Sequence, residues 1–422
     1  MNVPVPGRAH SLYLHLFMIG RTIALYTNAY SGLTKPTWLL SLVMLVNRSG
    51  TMVIPFMTIY LTQPSMGYSI AQAGLVMGIF GLGAICGGFL GGKVTDLLGF
   101  HRVQLVTLAG GGILFMILGQ MKSYPLICGC TFLLSLVNEA FRPANSTAIA
   151  HYSKEENRTR SYSLNRLAVN LGWAVGGAIG GILASINYHL LFWVDGVTNI
   201  LAAGLLHYFL SGEAEQSTVI QQEGPDTPPA VPAYRDKIYL RFIGCTILYA
   251  ACFFQLFTIL PVYYKKVLHM PEYMIGLLMA MNGIFITLFE MVLVFKLEGK
   301  RENLFYIFNG VLLVSLSFLL LNIIPLSIWS AFFCMLFMTV GEIMSMPFMS
   351  SYWIARTVKA NRGQYAGLNT IAWSVAQALA PLGGAQVAEH LGFRTLWWII
   401  GGLCSVAALG FRRLQQHENG LS

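Results

Sequence analysis

Charged side chains are scarce in this sequence. Asp, Glu, Lys and Arg make up 10% of its 422 residues, where a soluble domain carries about a quarter. So few charges cannot cover a water-facing surface, which excludes a large soluble enzyme. Acids are the scarcer sign, 17 against 26 basic residues, for a net charge of +9. That surplus does not point to nucleic acid, because the positive residues sit in short segments between apolar runs. Cysteine is also sparse. The seven (Cys86, Cys128, Cys130, Cys245, Cys252, Cys334 and Cys404) lie in apolar stretches without metal-ligand spacing to a histidine, and read as small buried hydrophobes. A nucleotide-binding Gly-x-x-x-x-Gly-Lys loop is missing, so ATP is not a visible energy source. An intramembrane hydrolase would need a Gly-x-Ser-x-Gly or paired-aspartate motif, and neither occurs. No metal, no cofactor and no nucleic-acid partner are expected.

What the chain has in abundance is apolar runs of about 20 residues, the length that crosses a bilayer. Twelve are predicted: 38–62, 70–91, 103–121, 124–150, 161–184, 189–210, 239–263, 272–297, 303–322, 327–355, 363–387 and 393–411. The fold class is therefore an all-α membrane protein. Residues 1–37 form an N-terminal segment whose apolar part, 12–32, carries Arg21 and reads as an interfacial helix. Residues 211–238, polar, acidic and proline-bearing, are a linker between two six-span halves, 38–210 and 239–411, and residues 412–422 are a tail. Of the basic residues in the connecting segments and at span ends, eighteen fall on one side and only Lys122, Lys265, Lys266 and Arg394 on the other. That bias places both termini in the cytoplasm.

The halves resemble each other at an offset of about 204 residues. Pro143 matches Pro347, Asn157-Arg158 matches Asn361-Arg362, Leu164-Asn165 matches Leu368-Asn369, and Gly180 matches Gly384. Two parallel repeats joined by a linker suit a transporter that rocks about a midplane site. Between spans 2 and 3 stands "GGKVTDLLGFHR", with Gly92, Asp96, Gly99 and Arg102. This frame is similar to the loop signature of the major facilitator superfamily, although Leu97 and Phe100 occupy positions that are usually basic there. The resemblance covers nearly the whole chain. It implies twelve transmembrane helices in two pseudo-symmetric halves, and a latch in which Asp96 meets a helix end or a basic partner and breaks when the cytoplasmic side opens.

Span 5 carries "NLGWAVGGAIGGILA", whose Gly172, Gly176, Gly177, Gly180 and Gly181 let helices approach closely. It resembles the Gly-x-x-x-Gly-Pro-x-x-Gly-Gly motif of the superfamily's proton-coupled antiporters, with Gly177 where the proline would stand; span 11 has its proline, Pro381, before Gly383-Gly384. "NRSGTMVIPFMTIYL" and "GEIMSMPFMSS" are similar to spans 1 and 10 of proton-coupled oligopeptide transporters. The Glu-x-x-Glu-Arg-Phe signature of that family is missing, and only Arg48 corresponds to its arginine.

Ionisable groups inside spans are costly and mark function by default. Glu139 and Glu342 fall near mid-depth in spans 4 and 10 at almost equivalent positions, where a proton carrier would be placed. Glu139 has Arg142 three residues on, so a standing salt bridge is its alternative. Glu342 has no basic residue within a turn. Glu290 in span 8 joins the proton-coupling candidates, or lines the exit, or pairs with Lys296. Asp195 reads as a satisfied charge at the outer boundary of span 6. Arg48 either pairs with Glu139 or awaits an anionic substrate group; Arg142 and Arg166 extend the basic set. Asn47, Asn138, Asn170, Trp173, Tyr249, Gln255, Asn282, Asn369 and Trp373 are the polar and stacking candidates for the cavity. The function expected is proton-coupled efflux of small amphiphilic molecules, from a monomer in a bacterial-type inner membrane. Uptake of a zwitterionic, peptide-like or siderophore-like substrate is the alternative.

Overall fold

The computed structural model describes residues 32–154, 158–211, 232–297, 299–325, 327–357 and 362–420. The predicted interfacial helix and most of the linker fall outside them. Span 1 is two helices, α1 (Lys35–Ser49) and α2 (Val53–Leu61). Spans 2 to 6 are α3 (Ile70–Leu98), α4 (Phe100–Leu118), α5 (Tyr124–Tyr152), α6 (Arg158–Ile186) and α7 (His189–Leu210). Span 7 is broken into α8 (Lys237–Phe253), α9 (Gln255–Thr258) and α10 (Leu260–Lys266). Spans 8 to 12 follow as α11 (Glu272–Leu297), α12 (Asn303–Ile323), α13 (Ile328–Ala355), α14 (Arg362–His390) and α15 (Gly392–Glu418). Among the described residues, eleven spans are long and apolar enough to cross a membrane by length and composition alone. The twelfth, α14, is diluted by Gln364, Asn369, Gln377, Gln386 and Glu389 but runs for 29 residues. Twelve transmembrane helices in two pseudo-symmetric halves are thus in place.

The helices begin where the sequence can satisfy their free amides. Thr34 caps α1, Ser69 and Gln72 close a capping box on α3, and the Asp236 carboxylate accepts from the Ile238 and Tyr239 amides of α8. Two expectations are corrected by the backbone. The segment between spans 2 and 3 is not a loop around Gly92 and Asp96, because both lie within α3. Helical bonding persists to the end of α3, where the Gly99 amide donates to the Thr95 carbonyl at 3.0 Å, and the turn is the single residue Gly99, at φ +81°, where a side chain would be strained. Span 1 is not continuous either. It breaks at Gly50–Met52, where a Cβ on Gly50 would sit 1.7 Å from Thr198 Oγ1.

That break is held by Asp195. Its oxygens accept from the Met52 amide at 3.0 and 3.1 Å and from the Val53 amide at 2.9 Å, capping α2 from α7. The residue is 0% exposed, so it is a core cap rather than a boundary charge. The cysteines divide: Cys130, Cys252, Cys334 and Cys404 are buried, Cys128 and Cys245 half-buried, and Cys86 is exposed on the surface of α3 instead of packed inside.

The halves meet along two seams, α3 with α14 and α6 with α11. Away from the arginine-rich face the packing is very close. A Cβ on Gly81 would lie 2.3 Å from Ala378 Cα, and one on Gly276 would lie 2.3 Å from the Gly177 carbonyl. Polar links cross there too. The Ala71 amide donates to Glu389 at 2.5 Å, and the Tyr188 hydroxyl donates to Glu272 at 2.7 Å, with Lys265 on the same carboxylate at 2.7 Å. The molecule is closed on this face.

Candidate functional site

Between the halves lies a cavity of about 500 Å³ that reaches Asn145, Ser146, Tyr162 and Asn165 at the arginine-rich ends of α5 and α6. It is open toward that face. Four of the sequence candidates line it beside Glu139: Arg48, Arg142, Trp173 and Trp373. The aromatic wall is larger than the sequence suggested. Phe254 and Phe257 join it from the broken stretch of span 7, with Trp173 and Phe257 ring centroids 5.2 Å apart and Trp373 6.0 Å from Phe254. Such a wall accepts flat apolar bodies with little demand on their shape.

The two equivalent carboxylates have different surroundings. Glu139 pairs with Arg142 at 2.9 Å, one turn along α5. Glu342 has no cation within ion-pair distance among the described residues. Its Oε2 accepts from Asn282 Nδ2 at 3.1 Å, and the same amide donates to Thr339 at 3.0 Å. Glu342 and Asn282 line a second chamber of about 180 Å³ with Asn170, which is divided from the main cavity by Val169, Trp173 and Phe257, residues that line both.

Arg48 stands at the end of α1, beside the break. Gly172 makes room for it, since a Cβ there would lie 2.5 Å from Arg48 Cβ. Its Nε is sealed from solvent with no hydrogen-bond partner, and no carboxylate pairs with it among the described residues; Glu139 is taken by Arg142. On its inner side is a small polar chamber of about 30 Å³, lined by Asn47, Asn138 and Asn199 among others. Asn47 Nδ2 donates to Asn199 Oδ1 at 2.8 Å.

Other candidates stand elsewhere. Arg166 is directed across the α6–α11 seam to Glu290, at 2.9 Å, so the partner of Glu290 is Arg166 and not Lys296. Tyr249 is fully buried, its hydroxyl 2.8 Å from Ser345 Oγ. Gln255, 1% exposed, donates to the Ala380 carbonyl at 2.8 Å and ties broken span 7 to α14. Asn369 is half-buried on α14 and lines none of the three chambers. The span 5 glycines divide between two faces: Gly172, Gly176 and Gly180 lie against Arg48, Ser49 and Met52, while Gly177 and Gly181 lie against α11. Pro381 lies inside the continuous α14 beside Gly74, where a Cβ would come within 2.7 Å of the Pro381 carbonyl. Asp96 is exposed and, like Arg102, has no side-chain partner among the described residues.

Two broken helices thus flank a cavity between two six-helix halves. The sequence model of the Major Facilitator Superfamily matches residues 37–381. The chain belongs to this superfamily. Among its relatives is a Na(+), Li(+), K(+)/H(+) antiporter of Planococcus maritimus, 24% identical over 84% of this chain and 90% of that protein. The quinolone resistance protein NorA of Staphylococcus aureus is 22% identical over 81% of this chain and 86% of that one. Among solved structures, a POT family transporter in complex with 5-aminolevulinic acid aligns with a TM-score of 0.76 at 15% identity, covering 90% of this chain and 96% of that chain. As a superfamily member, the protein is a multi-pass membrane transporter.

Proposed function

We propose that this superfamily member is a proton-coupled exporter of small amphiphilic organic molecules, working by alternating access in a bacterial-type inner membrane with both termini cytoplasmic. The observation that carries the reading is Glu342: a carboxyl at mid-span, held by an amide and not a cation, next to an aromatic cavity. A neutral acid is tolerated there and an isolated carboxylate is costly, so proton exchange follows which side admits water. Aromatic walls suit varied amphiphiles, and the antiporter and drug-resistance relatives support the direction. With the arginine-rich face taken as cytoplasmic, this is the inward-open state, in which substrate loads from inside. The unpaired Asp96 fits a latch released in this state. Asp96→Asn should slow turnover and bias the protein inward-facing, and cysteine labelling unchanged on both faces would dismiss the latch.

Arg48 favours a second reading. A cation without a resident partner on the cavity wall, with the acid Glu342 in the neighbouring chamber, suits a zwitterionic substrate and hence symport. Transport in inside-out and right-side-out vesicles under an imposed pH gradient, with cationic dyes and peptides, separates the two. Export predicts dye accumulation in inside-out vesicles when the lumen is acidic, with Arg48→Ala sparing it. Peptide uptake by right-side-out vesicles, lost in Arg48→Ala, would replace export with symport.

A further inference from the structure

A second large recess lies away from the transport pathway and shares none of its lining residues. At the arginine-rich ends of α8 and α15 a groove of about 590 Å³ opens on the outside of the bundle. Gly244 and Cys245 form one wall, Gly410 and Leu414 the other, and Arg241 and Arg413 stand at its mouth. The helices touch at Gly410, where a Cβ would meet Cys245 Sγ at 2.5 Å; beside this contact, a Cβ on Gly244 would have nothing within 4 Å. The absent side chain leaves an apolar slot next to two guanidinium groups.

The charge of this groove is not neutralised by the protein. No acid lines it. The nearby acids are committed elsewhere: Asp236 to Arg356 and Tyr365, Glu418 to Arg356 and Tyr352, and Glu302 to Gln415 and Asn419. Arg412 turns away to lie over the Phe308 ring, 5.1 Å from its centroid. Arg241 and Arg413 are exposed, with no ion pair or side-chain hydrogen bond among the described residues. They stand near the arginine-rich ends of spans 7 and 12, and arginine side chains at the ends of a span extend toward the lipid headgroups.

We propose that this groove is a binding site for an anionic phospholipid, with the phosphate between Arg241 and Arg413 and an acyl chain in the slot left by Gly244. Two unpaired cations select the charge, and apolar walls select a ligand with a hydrocarbon tail over a soluble anion. The bound lipid bridges α8 to α15 and so braces the helix that leads into the break of span 7. The site does not depend on which substrate the carrier moves.

The test is native mass spectrometry of the full chain in detergent, titrated with phosphatidylglycerol or with phosphatidylcholine of the same acyl chains. Phosphatidylglycerol should bind in preference. Each interfacial arginine is worth roughly fivefold, so Arg241→Gln with Arg413→Gln should weaken it about thirtyfold. Arg412→Gln should leave binding within about twofold, its charge lying outside the groove, and Gly244→Phe should weaken binding with both arginines retained. Equal binding of the two lipids, or an unaffected double variant, overturns the proposal. So does displacement of the lipid by equimolar inorganic phosphate, which would mark a free-anion site. Neutralising Glu213, Glu215, Glu223 and Asp226 together distinguishes the remaining occupant: a tenfold gain in lipid binding would mean that the acidic linker fills the groove instead.

Discussion

Spans 4 and 10 carry a glutamate at nearly the same place, and their next turns differ. Three residues after Glu139 stands Arg142, which pairs with it; three after Glu342 stands Ser345, which meets Tyr249 instead. Of these almost equivalent glutamates, one sits in an ion pair and the other is held only by an amide. The breaks of spans 1 and 7 diverge in the same way. In the first half a buried carboxylate, Asp195, caps the new helix start through three contacts. In the second, the neutral Gln255 reaches a single carbonyl on α14. The lesson is that the first half commits its acids Glu139 and Asp195 to contacts within itself, whereas in the second half Glu290 is paired across the seam and Glu342 is left without a cation.

The largest effect expected from this contrast is at the breaks. Asp195→Ala strands the Met52 and Val53 amides and should cost on the order of 3 kcal/mol, while Gln255→Ala removes one neutral bond for about 1 kcal/mol. Thermal unfolding in detergent ranks the two, and the reverse order would break the comparison. Next come the glutamates. Arg142→Ala leaves Glu139 without its cation and, because Arg142 is exposed, should cost about 0.5–1 kcal/mol, most of it recovered in the double variant Glu139→Gln/Arg142→Ala. Glu342→Gln keeps an acceptor for Asn282 and should change stability by less than about 1 kcal/mol. The smallest effect is outside the membrane, at Asp236. Burial alone pushes its carboxyl up, but the Tyr239 amide, the Tyr365 hydroxyl and the Arg356 guanidinium outweigh it and hold it below the ordinary aspartate value. Its contribution is therefore present above the unfolded value near 4 and is lost as pH falls through the folded one. Asp236→Asn should flatten the acid limb of melting temperature against pH below about pH 4, and an unchanged limb would remove Asp236 from the account.

The spans, the duplication and the loop-charge bias were legible because each is a local property of sequence. So was the Glu139–Arg142 pair, whose members share one helical face. The break in span 1 was masked by the apolar runs on either side of the polar stretch Asn47–Thr51, and the residue that holds the break lies 143 positions away from Met52. A usable signal was present in Asp195, since a carboxylate deep in a span with no cation near it in sequence must find amides or a distant partner. Arg166 and Glu290, 124 positions apart, show the same difficulty, with Lys296 offering a misleading neighbour. Asp96 was placed in a loop because glycines flank it, yet only Gly99 makes the turn.

The central claim, that Glu342 exchanges the coupling proton and Glu139 does not, is tested most directly in proteoliposomes. Glu342→Gln and Glu139→Gln should each be assayed for accumulation driven by a pH gradient and for substrate counterflow without one. The account predicts that Glu342→Gln loses gradient-driven accumulation and keeps counterflow, while Glu139→Gln retains both. Normal gradient-driven accumulation by Glu342→Gln would contradict it.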